Sequence, residues 1–296
     1  MIKRRSFIQQ IGAGLAASVL GWPLTAYPRE AWPLPNTAAN GVRVAFLADA
    51  HLRWGPLGRT AADNLIAAVT AINMVQPPLD LVFFLGDLTD AADLRAMALG
   101  QEILGTLSAP YWFIPGENDA AAQSAGVPPA NHGGLFSFTW QNVHFCGLDT
   151  RYGEVGDSGA RFRLAPSLHQ WLAAELKRLP RELPLVILSH APLYPLFRPW
   201  QWWTAASESL LELMQERSRV MLVHGHVHQN IGVRQGNLCF QGVRATAWPL
   251  PDVRLGTPAT LPRPAASQGQ AGCGWLLLTV GWSGAVLLED QPWAAG

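Results

Sequence analysis

The chain has 296 residues, with Lys+Arg and Asp+Glu both at 21 and a formal net charge of zero. That length suits one large α/β domain or two small ones, and the charge balance offers no basic surface for nucleic acid or an anionic membrane. Three cysteines, Cys146, Cys239 and Cys273, are too few and too scattered for a disulfide framework or a thiolate zinc site.

The first residues stand apart from the rest. Lys3-Arg4-Arg5-Ser6-Phe7-Ile8 precede a short Gly/Ala-rich apolar stretch at 11–20 and a Pro-rich exit. A basic start, a short apolar centre and a breaker describe an export signal better than a core helix. Paired arginines followed by Phe look like a twin-arginine signal, whose pathway carries folded proteins. The expectation is an export signal and linker over 1–36, a folded domain over 37–296, and a periplasmic or otherwise exported location with the twin-arginine machinery as a partner. No apolar run of 18 or more follows, so no membrane span is expected in the mature chain.

Residues 42–47 (VRVAFL) form a short apolar, β-branched and aromatic run, the pattern of a buried strand. Residues 60–76 carry helical spacing at Leu65, Ile66, Val69 and Ile72 and stop at Pro77-Pro78. A second apolar strand is predicted at 81–85, a helix at 91–107 and a third strand at 111–114. Strand, helix, strand, helix, strand with near-continuous apolar strands means βαβ units and a mainly parallel sheet. Residues 135–140 and 143–148 flank Gln141-Asn142, which reads as a hairpin. A helix at 166–179 then leads to a strand at 185–188, and a helix at 205–216 to a strand at 220–223. Strands without helices close the chain, at 275–280 and 285–288 around Trp282-Ser283-Gly284. The Pro-rich stretch 249–264 reads as a surface excursion. The predicted fold is α/β: a four-layer αββα sandwich of two mixed β-sheets flanked by helices.

The polar residues fall in one kind of place. Five apolar strands end in Asp49-Ala50-His51, Gly86-Asp87-Leu88-Thr89-Asp90, Gly116-Glu117-Asn118-Asp119, Ser189-His190 and His224-Gly225-His226-Val227-His228. In an open α/β sheet the carboxyl ends of the strands converge on one crevice. Converging carboxylates and imidazoles are what a metal ion needs, and mixed His/Asp ligation suits Fe, Mn or Zn. Seven candidate ligands exceed one ion's needs; two ions about 3.5–4 Å apart, sharing a carboxylate, match the two-metal hydrolysis template. Gly86, Gly116 and Gly225 are expected to turn the backbone so that the next side chain faces the metals.

In order and spacing these motifs resemble the calcineurin-like metallophosphoesterases, and the Gly86-to-Asp90 segment resembles the cyclic-nucleotide phosphodiesterase branch. The resemblance covers about residues 42–230. It implies that Asp49, His51 and His228 hold one metal, that Glu117, His190 and His226 hold the other, and that Asp87 bridges them. It further implies a metal-bound hydroxide as nucleophile and a small phosphate ester as substrate, a phosphodiester ahead of a phosphomonoester. Asp90 either orients a ligand His from behind or caps a helix. Asp119 does similar supporting work, and His224 packs within its strand.

The third motif departs from the family. Where the family places Asn and then His, this chain has Glu117 and Asn118. Either Glu117 is the ligand, adding a negative charge, or a one-residue slip makes Asn118 the ligand and puts Asp119 in the His place. Both alignments lose the His that assists the leaving group, a contribution of roughly 10²–10⁴-fold. His132, His144 or Glu154 could stand in for it. Asp87, Asn118 and Asp90 are thus the catalytic candidates. Trp54, Trp200, Trp202 and Trp203 could rim the site, although loop tryptophans more often pin loops down. The other functional class is a metal-binding protein that recognises a phosphorylated ligand without turnover.

Overall fold

The structure, a computed structural model, describes residues 41–55, 58–90, 93–119, 135–152, 159–196, 198–205, 207–250, 272–281 and 286–293. The export-type segment, His132, Glu154 and most of the Pro-rich stretch lie outside these. Strands β1 (Gly41–Leu47), β2 (Leu81–Phe84) and β3 (Tyr111–Phe113) run parallel. β13 (Gly274–Gly281) and β14 (Val286–Pro292) join them antiparallel, giving the order β14-β13-β1-β2-β3.

The second sheet contains β4 (Phe136–Trp140), β5 (Val143–Leu148), β8 (Leu185–Ser189), β10 (Val220–His224), β11 (Gly232–Gln235) and β12 (Leu238–Gly242). Its order is β11-β12-β10-β8-β5-β4, with the inner four strands parallel and an antiparallel strand at each edge. A small third sheet, which the sequence pattern did not predict, joins β6 (Thr150–Tyr152), β7 (Phe162–Leu164) and β9 (Thr204–Ala205).

Side-chain alternation sorts each strand between two cores. On β1 and β2, Val42, Val44, Phe46, Leu81 and Phe83 face the second sheet, meeting Phe145, Val186, Leu188, Met221 and Val223. Their neighbours Ala45, Leu47, Val82 and Phe84 face outward, under α1 (Arg59–Asn73) and α2 (Leu94–Leu104). Cys146, Leu148, Ile187 and Leu222 likewise pack under α3 (Pro166–Lys177) and α4 (Ser207–Glu212). Layer by layer this is helix, sheet, sheet, helix. Phe83 sits between the sheets against Phe46, Phe136 and Phe145, at centroid distances of 5.2–6.2 Å. Truncating such a buried ring to Ala costs about 3–5 kcal/mol. Pro166 opens α3 at a position where no amide hydrogen is needed, and the Asp93 carboxylate caps α2 by accepting from the Arg95 and Ala96 amides. No helix among the described residues is long and apolar enough to cross a membrane.

Candidate metal centre

The loops after β1 and β2 continue to pair past the strand ends. Asp49 N donates to Gly86 O at 2.9 Å, His51 N to Asp87 O at 2.9 Å, and Leu52 N to Leu88 O at 2.8 Å. These bonds fix Asp49, His51 and Asp87 side by side. Five of the seven candidate ligands hold left-handed backbone: Asp49 (φ 55°), His51 (44°), Asp87 (52°), His226 (65°) and His228 (53°). Such angles in non-glycine residues cost on the order of 1 kcal/mol each and collect at functional sites. Gly86 shares the turn at φ 90°, but Gly116 serves a different purpose. A Cβ there would stand 2.1 Å from Asp87 Oδ1, so Gly116 is needed for space.

Two groups of side chains result. Asp49, His51 and His228 bring one ligand atom each within 4.8 Å of one another, and so do Asp87, Glu117, His190 and His226. Asp87 Oδ2 looks into both, 3.6 Å from His51 Nε2 and 3.7 Å from His190 Nε2. Backbone carbonyls set the imidazole tautomers. His190 Nδ1 donates to Leu85 O and His228 Nδ1 to Trp248 O, both at 2.7 Å. A carbonyl can only accept, so Nδ1 carries a hydrogen in each ring and Nε2 is the atom that faces the site, its lone pair free whenever the ring is neutral.

That arrangement needs a cation. His190 Nε2 lies 2.8 Å from Glu117 Oε2, both atoms buried. Two lone pairs at that distance repel unless a proton or metal ion lies between them. In the other group His51 Nε2 and His228 Nε2 face each other at 3.2 Å. The donor set, imidazole nitrogen with carboxylate oxygen and no thiolate, fits Fe, Mn or Zn. The residues therefore fit a two-ion site.

The titration behaviour follows from the same crowding. Burial disfavours a charged His190 ring, but Asp87 and Glu117 outweigh it and hold its pKa well above the ordinary value. Burial alone would raise the Glu117 carboxyl; His226 and His190 hold it well below its usual range. Burial, aided by the Glu117 charge, pushes Asp87 well upward. For His51 burial, with His228 beside it, lowers the pKa to about 3, so the ring is neutral and ready to ligate.

A family model for calcineurin-like phosphoesterases matches residues 42–230. The chain belongs to that family. Membership assigns it to the metal-dependent phosphoric ester hydrolases. It is 26% identical over 217 residues to a 3',5'-cyclic-nucleotide phosphodiesterase of Nostoc sp., covering 70% of this chain and 79% of the relative. A protein of Arcobacter nitrofigilis named "probable glycerophosphodiester phosphodiesterase" is 26% identical over 200 residues, covering 63% and 71%. Among solved structures, a dimetal phosphatase from Danio rerio superposes with a TM-score of 0.64 at 13% identity, over 86% of this chain and 96% of that one. A purple acid phosphatase from yellow lupin gives 0.53 at 16% identity, over 90% and 52%. These two likenesses concern the fold.

In the third motif of this calcineurin-like phosphoesterase, consecutive side chains turn to different partners. Glu117 faces His190 and His226, with Oε1 3.1 Å from His226 Nδ1. Asn118 instead turns to Asp87, and Asp119 turns away from the site altogether. The buried Asp119 carboxylate accepts from the amides of Leu88, Thr89 and Gly116 and from Thr89 Oγ1, stitching the second motif to the third.

Asp90 does neither of the things expected of it. Its carboxylate pairs with the Arg53 guanidinium, two residues beyond His51, and the cap of α2 is Asp93, so no ligand imidazole is oriented by it. His144 is also excluded as a stand-in for the family's His. It lies near the start of β5, opposite Leu185, bound to Thr139 Oγ1 at 2.8 Å, whereas the site lies past the strands' carboxyl ends. His224 packs in its strand, with Nδ1 3.0 Å from Gly225 O. Burial lowers its pKa to about 4.

Of the tryptophans, Trp202 reaches the site, edge-on to His226 at 4.5 Å, with Trp200 behind it at 5.1 Å. Trp203 is buried under Arg198, and Trp54 is exposed beneath Arg95. Two contacts escaped the sequence reading. Trp248 stacks on His51 at 4.5 Å, and Phe162 of the small sheet meets His226 edge-on at 4.7 Å. A single tryptophan before the Pro-rich stretch was the available signal for the first.

Proposed function

We propose that this calcineurin-like phosphoesterase is an exported phosphodiesterase working with two metal ions. The observation that carries the reading is Asp87 Oδ2, set between an imidazole of each ligand group. Asp49, His51 and His228 would hold one ion; Asp87, Glu117, His190 and His226 the other. Bound there, the ions would supply Lewis-acid charge for phosphoryl oxygens and lower the pKa of a water. The protein's part is positioning. Leu85 O and Trp248 O hold His190 and His228 in the ligating tautomer, Asp119 fixes the loops that carry Asp87 and Glu117, and Trp248 and Phe162 shield the imidazoles.

The two phosphodiesterase-named relatives support a diester substrate. Asn118 bears on a different choice: a site lacking the family's leaving-group His works best on esters whose leaving group needs no proton, diester and monoester alike. The test is a panel assay of metal-reconstituted protein: bis(p-nitrophenyl) phosphate, p-nitrophenyl phosphate, a 3',5'-cyclic nucleotide and a glycerophosphodiester. Hydrolysis of diesters at least about 10-fold faster than the monoester, abolished by a chelator, is expected. Two bound ions without hydrolysis of any of them would instead establish a metal-binding recognition protein. Export rests on residues 3–20. An Arg4→Lys, Arg5→Lys variant should stay in the cytoplasm.

A further inference from the structure

The structure gives Asn118 a partner that its place in the motif does not suggest. Its backbone N–H donates to Asp87 Oδ1 at 2.9 Å, and its side-chain Nδ2 donates to Asp87 Oδ2 at 2.6 Å. Both oxygens of one buried carboxylate are thus held by one residue. Oδ2 is also the oxygen that looks into both ligand groups. A carboxylate oxygen has two lone-pair sites. An oxygen shared by two ions uses both, and the Asn118 amide already occupies one.

We propose that the Asn118 side chain is a latch on Asp87 that competes with a metal ion for Oδ2. The proposal rests on the two-ion reading above. With one ion bound, the free lone pair would suffice and the latch would stay closed. Sharing Oδ2 with a second ion would require the Asn118 amide to leave, while the backbone bond to Oδ1 would keep the carboxylate aimed. The freed amide would then be a donor available to another acceptor in the site. Occupancy of the second position and the availability of that donor become one event.

The experiment titrates metal-stripped wild type, Asn118→Ala and Asn118→Leu with Mn²⁺, followed by calorimetry and by the electron paramagnetic resonance signal of a spin-coupled pair. Wild type should bind two equivalents, the second more weakly. A hydrogen bond to a charged acceptor is strong enough that removing this one should tighten the second equivalent by about 10-fold in both variants. The first should change less than about 2-fold. A second equivalent unchanged or weaker in both variants would overturn the latch and make Asn118 a residue that merely aims Asp87. Fewer than two equivalents in saturated wild type would overturn the two-ion reading and the latch with it.

Discussion

Trp248 and His51 lie ring on ring, 4.5 Å between centroids and 29° between planes. The same tryptophan supplies the carbonyl that fixes the tautomer of His228, so one loop residue governs two imidazoles of one ligand group. Trp248→Ala keeps a carbonyl but loses the ring that holds it in place. Contacts behind a metal ligand are typically worth 10–100-fold in affinity. We expect Mn²⁺ binding at Asp49, His51 and His228 to weaken by about 10-fold, with Trp248→Phe recovering most of it. Calorimetric titration of both variants checks this, and an unchanged affinity in the alanine variant would refute it.

Glu117 contributes a charge that a neutral amide would not. Glu117→Gln should weaken one of the two ions by at least about 10-fold, because the group would keep a single carboxylate, Asp87. It should also lower the pKa of His190, which Asp87 and then Glu117 hold up. Metal content after dialysis reads the first effect, and NMR titration of the imidazole in metal-stripped protein reads the second.

In that stripped state stability should fall as pH rises. His190 has a raised pKa, so between its unfolded value near 6.5 and its folded value the native state holds a proton that the unfolded chain has released. Its stabilising contribution is complete below about pH 6.5 and is lost as pH climbs through the folded pKa. Glu117, shifted downward, loses its contribution on acidification, well below this window. A metal ion replaces the missing proton. The gain in Tm on adding Mn²⁺ should therefore be larger near pH 8.5 than near pH 6. Equal gains at the two pH values would contradict the assignment.

Asp119 accepts its hydrogen bonds from Leu88, Thr89 and Gly116, and it should matter to stability more than any exposed charge. Asp119→Ala leaves the buried amides of Leu88, Thr89 and Gly116 without an acceptor. The expected cost is about 3 kcal/mol, a fall in Tm of roughly 6–12 °C for a chain of this size. Asp119→Asn should retain part of it. Thermal denaturation of the metal-stripped variants separates this effect from metal loss.

The layers and the site's raw materials were legible in the sequence for one reason. A parallel strand buried on both faces is nearly all apolar, so a polar residue at its end stands out. Asp49, Asp87, Glu117, His190 and His226 were all visible this way. The small sheet was not, because strands of three, three and two residues carry no period to detect. Trp248 was missed because it is brought to His51 by tertiary packing across nearly two hundred positions of chain. Asp90 misled because an acidic residue just before a helix reads as a cap, and the chain instead delays its turn by three residues to Asp93. The sequence of "PGEND" allows two alignments; the turn after Ile114 sends Glu117 toward the imidazoles and Asp119 behind them.

The left-handed backbone at Asp49, His51, Asp87, His226 and His228 has a consequence beyond geometry. Glycine would sit in each of those angles with less strain, and on order-of-magnitude values the five together set the fold back by about 5 kcal/mol. A protein of this shape with no task at its strand ends would become sturdier by drifting to glycine there. This chain carries Asp, His, Asp, His and His. Its dihedral angles are a record of employment: folding alone would never have hired these side chains for these places.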